Sequence, residues 1–287
     1  MALTAMLWLA VLLCALLLLV LATGTVVLAW SVRRRRGGRA WKAFAPPRYP
    51  MVLVHGLMGF DELARVGPRI RYFRGVVDRL EKLGVKVYRP KLPALAAVPE
   101  RAARLAAFVR ALPEERVNVI AHSMGGLDAR WAIAKLGLGE RIASLVTIAT
   151  PHRGTPLADL KDVAPAAVLR GLANRLGLRS DGLDWLTPAH METFNADVVD
   201  DPRVLYGCVV CHAGDSLLFT NPLLAPVHRY VRKRAGTNDG IVPAASQRWG
   251  RELLEVKVDH WAQIGWAPGD ARGMYEVIAR ELAAQGF

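Results

Sequence analysis

The sequence predicts an α/β domain, a mostly parallel central sheet covered by helices on both faces, preceded by one membrane-spanning helix. Three observations carry this reading. From about residue 50 to the end, short β-branched apolar runs alternate with longer amphipathic segments, the rhythm of strands joined by crossover helices. The first 32 residues hold no charged side chain, longer than the roughly 20 needed to cross a bilayer. Arg33, Arg34, Arg35, Arg36, Arg39 and Lys42 follow at once, the basic flank expected of such a span.

The N-terminal segment comes first. Leu7 to Leu21 is almost wholly aliphatic and no basic residue precedes Arg33. A signal peptide has a charged start, an apolar core of about 7–15 residues and a small-residue cleavage site. None of these fits, and Cys14 lacks the small residues before it that lipoprotein processing needs. Residues 1–32 are therefore read as a transmembrane anchor and 33–49 as a basic, proline-containing linker. Residues 50–287 are the folded domain. The positive-inside rule puts that domain on the cytoplasmic side. The net charge of +13 partly reflects the arginine block. With no zinc spacing and no basic run interleaved with aromatics, it does not point to nucleic acid.

Within the domain, Met51–Val54, Val85–Tyr88, Val117–Ala121, Leu145–Ala149, Val204–Val210 and Leu253–Val258 read as strands. Ile70–Leu83, Arg101–Ala111, Leu127–Leu136 and Met274–Gln285 show helical periodicity. Residues 155–197 interrupt the rhythm with helical pieces and no strand, a candidate mobile lid. Cys208 and Cys211 stand three apart on a strand, so they face opposite sides and read as two buried thiols.

The chemistry gathers at strand ends. Ala121-His122-Ser123-Met124-Gly125-Gly126 joins a strand to a helix with a serine at the turn, the layout of a nucleophile elbow. Small residues two before and two after the serine allow close backbone approach; the usual first glycine is Ala121 here. Acyl transfer by serine also needs a base, an acid that orients it, and donors for an oxyanion. His260, just past the last strand, is the expected base. His55 and His152 follow strands but come early and read as loop structure. His122 cannot fold back onto its neighbour, and His190, His212 and His228 lack the late strand-end position. Asp239, in the turn-rich run Gly236 to Pro243, is the expected acid, with Asp215 as its rival. Backbone N–H groups of Met124, after the serine, and Leu57, in His55-Gly56-Leu57-Met58-Gly59, are the expected oxyanion donors.

Five blocks, VLVHGLMGFDEL, NVIAHSMGGLDAR, TIATPHRGTPLAD, the pair Phe194-Asn195, and TNDGIV, resemble those of bacterial triacylglycerol lipases of the Pseudomonas/Burkholderia type. They run in family order from about Met51 to His260. The Ala121 elbow is also similar to that of the small Bacillus lipases. The resemblance implies an α/β-hydrolase fold with Ser123, Asp239 and His260 as triad, Leu57 and Met124 as oxyanion donors, and an apolar lid. The family's structural calcium uses an Asp two residues after the catalytic His. That position is Ala262 here, so no metal or other cofactor is expected.

The expected function is hydrolysis of lipid acyl esters through an acyl-enzyme, on a membrane-held domain with no legible protein partner. Two alternatives stand beside it: an acyltransferase on the same triad, and a catalytically inactive, membrane-tethered binding module.

Overall fold

The first apolar run of the domain, Met51–Val54 (β1), lies inside the sheet and not at its edge. The computed structural model describes residues 45–57, 71–162, 181–214, 221–267 and 271–287. The anchor reading for residues 1–32 lies outside them. Among the described residues no helix is long and apolar enough to cross a membrane. Phe44–Phe287 forms a compact unit of its own.

β1 is joined by β2 (Val87–Tyr88), β3 (Val117–His122), β4 (Ile142–Ile148), β5 (Leu205–Cys211) and β6 (Arg251–Val256). All pairings are parallel, in the order β2-β1-β3-β4-β5-β6. The chain thus builds outward from β1 to β2, crosses back to β3, and continues the other way. Such a reversal opens a crevice at the carboxyl ends of the two strands beside it, here β1 and β3.

Alternation along the strands decides which helix goes where. Met51, Leu53 and Ile120 point into one apolar cluster with α1 (Val76–Lys82) and the C-terminal helix, Ala271–Ala284. Val52, Val54, Val119 and Ala121 point into the other, with α2 (Val98–Ala111) and α3 (Gly125–Leu136). A fully buried parallel strand is covered on both faces, and β1, β3 and β4 are buried at every position. Cys211 falls in the first cluster and Cys208 in a separate one, both as free thiols.

Several element ends differ from the sequence reading, each for a backbone reason. α1 starts only at Val76 because Gly75 takes a left-handed φ of 69°. β4 stops at Ile148 because Ala149 has φ 50°. β6 starts at Arg251, after Gly250, where an added Cβ would stand 2.4 Å from the Tyr206 carbonyl oxygen.

Between β4 and β5 the described residues form 3₁₀ turns at Pro156–Asp162 and Asp181–Leu186, then α4 (Pro188–Asp197). Thr187 caps α4 by accepting from the His190 N–H. The buried guanidinium of Arg130 fixes the far end of α4, donating to Asn195 Oδ1 (2.8 Å) and the Val198 carbonyl (3.0 Å). The same guanidinium lies 3.6 Å over the Trp249 ring, against which His152 is stacked. Asn195 Nδ2 donates to the His152 carbonyl, so the Phe194-Asn195 pair and the TPHRG block are parts of one anchor. After β5 come α5 (Ala225–Ala235), which the sequence reading did not mark, and α6 (Ala244–Gln247); the C-terminal helix is α7.

Candidate active site

The register of β1 on β3 sets the first part of the site. Val54 pairs with Ala121, and two residues further on lie Gly56 and Ser123. They touch: a Cβ added to Gly56 would stand 2.7 Å from Ser123 Cβ. Ser123 has φ 56°, one of two non-glycine residues with positive φ among the described ones. That strained conformation lifts the side chain out of the sheet between strand and helix. Thr150 Oγ1–H donates to the Ser123 carbonyl (2.7 Å), and the Ser123 N–H donates to the Ile148 carbonyl (2.9 Å), so the strain is held from the β4 side. Met124 stands at the N-terminal end of α3, where helical N–H groups have no intrahelical acceptor and the dipole favours negative charge.

The acid turn is fixed through β5. The Ala213 N–H at the strand's end donates to the Asn238 carbonyl. Asp239 is fully buried, and its carboxylate is saturated. Oδ1 accepts from the N–H groups of Ile241 (3.0 Å) and Val242 (2.8 Å). Oδ2 accepts from Gln263 Nε2 (2.8 Å) and His260 Nδ1 (2.7 Å). The His260 N–H also donates to the Asp239 carbonyl, joining the two turns twice. Burial alone pushes the Asp239 carboxyl up. The His260 charge and hydrogen bond, with the Val242 and Gln263 donors, outweigh burial and hold it below the usual carboxylate range. Beyond β6, Asp259 receives the N–H groups of Trp261 and Ala262 and turns the chain so that His260 faces inward. The His260 ring lies 4.6 Å from that of His122, the residue before Ser123.

The structure thus brings Asp239 and His260 into direct contact, with the His260 ring against His122, the residue before Ser123, and Gly56 against Ser123 itself. Asp215, the rival acid, lies outside the described residues. His55 and His152 are loop and core structure, and His228 is buried on α5. Ala262 brings no carboxylate to the position where the lipase resemblance implies a calcium ligand, and the nearby Asp259 carboxylate is taken up by the N–H groups of Trp261, Ala262 and Asn221.

Sequence reasoning missed Arg101. It sits on the apolar stripe of α2, between Val98 and Ala102, and a charge in that position was the available signal. Its guanidinium is fully buried: Nε donates to Asp128 Oδ2 (2.8 Å), Nη1 to the Pro93 carbonyl and Nη2 to the carbonyls of His55 (2.7 Å) and Gly56 (3.2 Å). His55 Nδ1–H also donates to the Gly56 carbonyl, while its Nε2 accepts from the Leu92 N–H. In a planar trans peptide the N–H points opposite the preceding carbonyl. With the Gly56 carbonyl drawn toward Arg101, the Leu57 N–H is turned the other way. Leu57 and Met124 share an apolar cluster with Leu186, Met191, Phe194 and Trp185, from the segment between β4 and β5.

The parallel sheet reverses its strand order beside a strained serine, and a buried carboxylate–imidazole pair lies against His122, the residue before that serine. Residues 49–185 match the family described as alpha/beta hydrolase fold. Triacylglycerol lipase 2 of Saccharomyces cerevisiae is 29% identical over 273 residues, covering 78% of this chain and 82% of that one. The triacylglycerol lipase of Burkholderia plantarii is 38% identical over 123 residues, but these are 40% of this chain and 33% of that protein. The solved structure of the metagenomic carboxyl esterase MGS0156 superposes with a TM-score of 0.73 at 24% identity, covering 87% of this chain and 80% of that one, a likeness of fold. The chain thus has the fold of these hydrolases, and the curated proteins it resembles here are triacylglycerol lipases.

Proposed function

We propose that this chain is a serine carboxylic-ester hydrolase of lipase type that cleaves acyl esters of lipids at a membrane surface. The observation that carries the reading is the 2.7 Å hydrogen bond from His260 Nδ1 to a buried, fully bonded Asp239, set beside a serine held at φ 56°. With Nδ1–H committed to Asp239, the His260 Nε2 lone pair is left to take a proton.

In this mechanism Ser123 Oγ attacks the ester carbonyl as His260 Nε2 takes its proton. The carbonyl oxygen becomes an oxyanion, received by the N–H groups of Leu57 and Met124. Collapse of the tetrahedral intermediate breaks the ester C–O bond, and His260 gives the proton to the leaving alcohol. Water, deprotonated by His260, then cleaves the acyl-enzyme to release the acid and restore Ser123. Asp239 holds the ring and balances the imidazolium charge at each transfer.

The apolar cluster around Leu57, Met124, Leu186 and Trp185 supplies a wall for an acyl chain beside the reacting carbon. Residues 155–197, which contribute Trp185 and Leu186 to that wall, act as the lid of the site, and residues 1–32 hold the domain at the bilayer on its cytoplasmic side. The exposed Arg229, Arg232, Lys233 and Arg234 of α5, the helix that packs over the Asp239 turn, favour an anionic surface nearby.

Ser123→Ala should lower hydrolysis of p-nitrophenyl esters at least about 10⁴-fold and abolish labelling by a fluorophosphonate, with an unchanged thermal midpoint. A variant that keeps wild-type turnover refutes the mechanism. In a chain-length series, rising kcat/KM toward long acyl chains separates lipase from short-chain esterase. Protease protection of the domain in sealed vesicles reads its side of the membrane.

A further inference from the structure

We infer that Tyr72, His122 and Gln263 form a positioning relay that ties the backbone of the oxyanion loop to the carboxylate of Asp239. The inference rests on the triad reading above, and none of the three residues touches the reacting atoms in that scheme. All three are buried, at 8%, 1% and 0% exposure.

The direction of every bond in the relay follows from one charge. An ionised carboxylate only accepts hydrogen bonds. Gln263 therefore presents its amide Nε2 to Asp239 Oδ2 (2.8 Å), which leaves its carbonyl Oε1 facing His122 Nε2 (2.8 Å). That nitrogen must carry the proton. Burial pushes the His122 imidazole down to about 3, so the ring is neutral and its Nδ1 is a lone pair. The Tyr72 hydroxyl donates to that lone pair (2.7 Å), and the Tyr72 oxygen accepts the Gly56 N–H (3.1 Å).

The relay meets the oxyanion loop opposite Arg101. The His55 carbonyl and the Gly56 N–H belong to one peptide plane; Arg101 Nη2 holds the carbonyl and Tyr72 holds the N–H. Gly56, against Ser123, is the residue best able to rotate if either end is released. Losing the Tyr72 hydroxyl would let this plane turn and swing the Leu57 N–H out of line. A second consequence concerns charge. The His122 ring lies 4.6 Å from that of His260, and burial keeps it neutral, so the imidazolium formed on His260 has no like charge beside it.

The test uses Tyr72→Phe, Gln263→Leu and the double variant in the full chain. It reads kcat, KM and inhibition by an alkyl trifluoromethyl ketone, a mimic of the tetrahedral oxyanion. Each single change should lower kcat about 10–100-fold with KM within about threefold, and weaken the ketone in step with kcat/KM. The double variant should be within about twofold of the worse single, because both cut one relay. Losses that multiply, losses confined to KM, or Tyr72→Phe activity within twofold of wild type overturn the inference. A measurement independent of activity is the tautomer of His122 by NMR of ¹⁵N-histidine-labelled protein. The Nε2–H form supports the relay, and the Nδ1–H form overturns it whatever the enzyme hydrolyses. A wild-type protein with the Nε2–H form but no ester turnover and no fluorophosphonate labelling overturns the hydrolase reading alone.

Discussion

The two small residues flanking Ser123 have different tolerances. Ala121 already carries a methyl, buried in the cluster between the sheet and helices α2 and α3. Gly125 has no such room: a Cβ there would lie 2.8 Å from the His55 carbonyl oxygen and 2.9 Å from that of Val54. The Ala at the first position is thus a fitted residue on the core side of β3. The glycine at the second is forced by the backbone of β1. Ala121→Gly should cost about 1 kcal/mol of stability and leave kcat/KM within about threefold. Gly125→Ala should cost about 1–3 kcal/mol and reduce kcat/KM by roughly a hundredfold or more, since β1 must shift and carry the Leu57 N–H with it. Steady-state kinetics with urea unfolding of both variants separates the two positions. The Ser123 turn and the Asp239–His260 contact were legible in the sequence because an elbow motif, a turn-rich loop and the end of the last strand follow one another in the order Ser, Asp, His. Tyr72 and Gln263 were not, because a tyrosine or glutamine becomes a positioning group only through partners far along the chain.

At the scale of elements, the sheet was legible because fully buried strands must be apolar runs. Strand and helix ends were less so, since Gly75, Ala149 and Gly250 set them through backbone torsion. The helix α5 was missed because its sequence is dominated by Arg and Lys, and its apolar stripe is narrow. The anchor of α4 was visible only as scattered letters, His152, Asn195 and Trp249, which Arg130 gathers. Replacing Arg130 by Met would leave the Val198 carbonyl and Asn195 Oδ1 without this donor, at a cost of about 2–4 kcal/mol. Hydrogen exchange should rise first in residues 188–198 and leave β3 and β4 protected. Uniform loss of protection would show that the anchor supports the whole fold.

For the molecule as a whole, acid should be the weak side. Burial pushes His55 down to about 4 and His122 to about 3, and lowers His152 well below its ordinary value with help from Arg130 and Arg153. In the unfolded chain all three titrate near 6.5. Their stabilising contribution is complete above that pH and is lost as pH falls toward the folded values. Asp128 acts in the opposite sense: burial, against the pull of Arg101, raises it to about 7, so the stability its protonation supports fades as pH rises from about 4 to 7. It offsets roughly one histidine, and the remaining two leave a net slope on the order of 3 kcal/mol per pH unit. The urea midpoint should fall measurably from pH 7 to pH 4.5. A flat or rising midpoint would mean that at least two of these histidines are not held neutral.

The strand order has a last consequence, in time and not in space. β1 and β3 sit side by side, so the loop at Gly56 and the turn at Ser123 can form as soon as the first half of the domain leaves the ribosome. Asp239 and His260 belong to turns after β5 and before the last helix. At about 5–20 residues per second, Ser123 is made on the order of ten seconds before His260. A nascent chain synthesised beside a bilayer would therefore carry an inert serine until the sheet has closed, and the activity would switch on with folding.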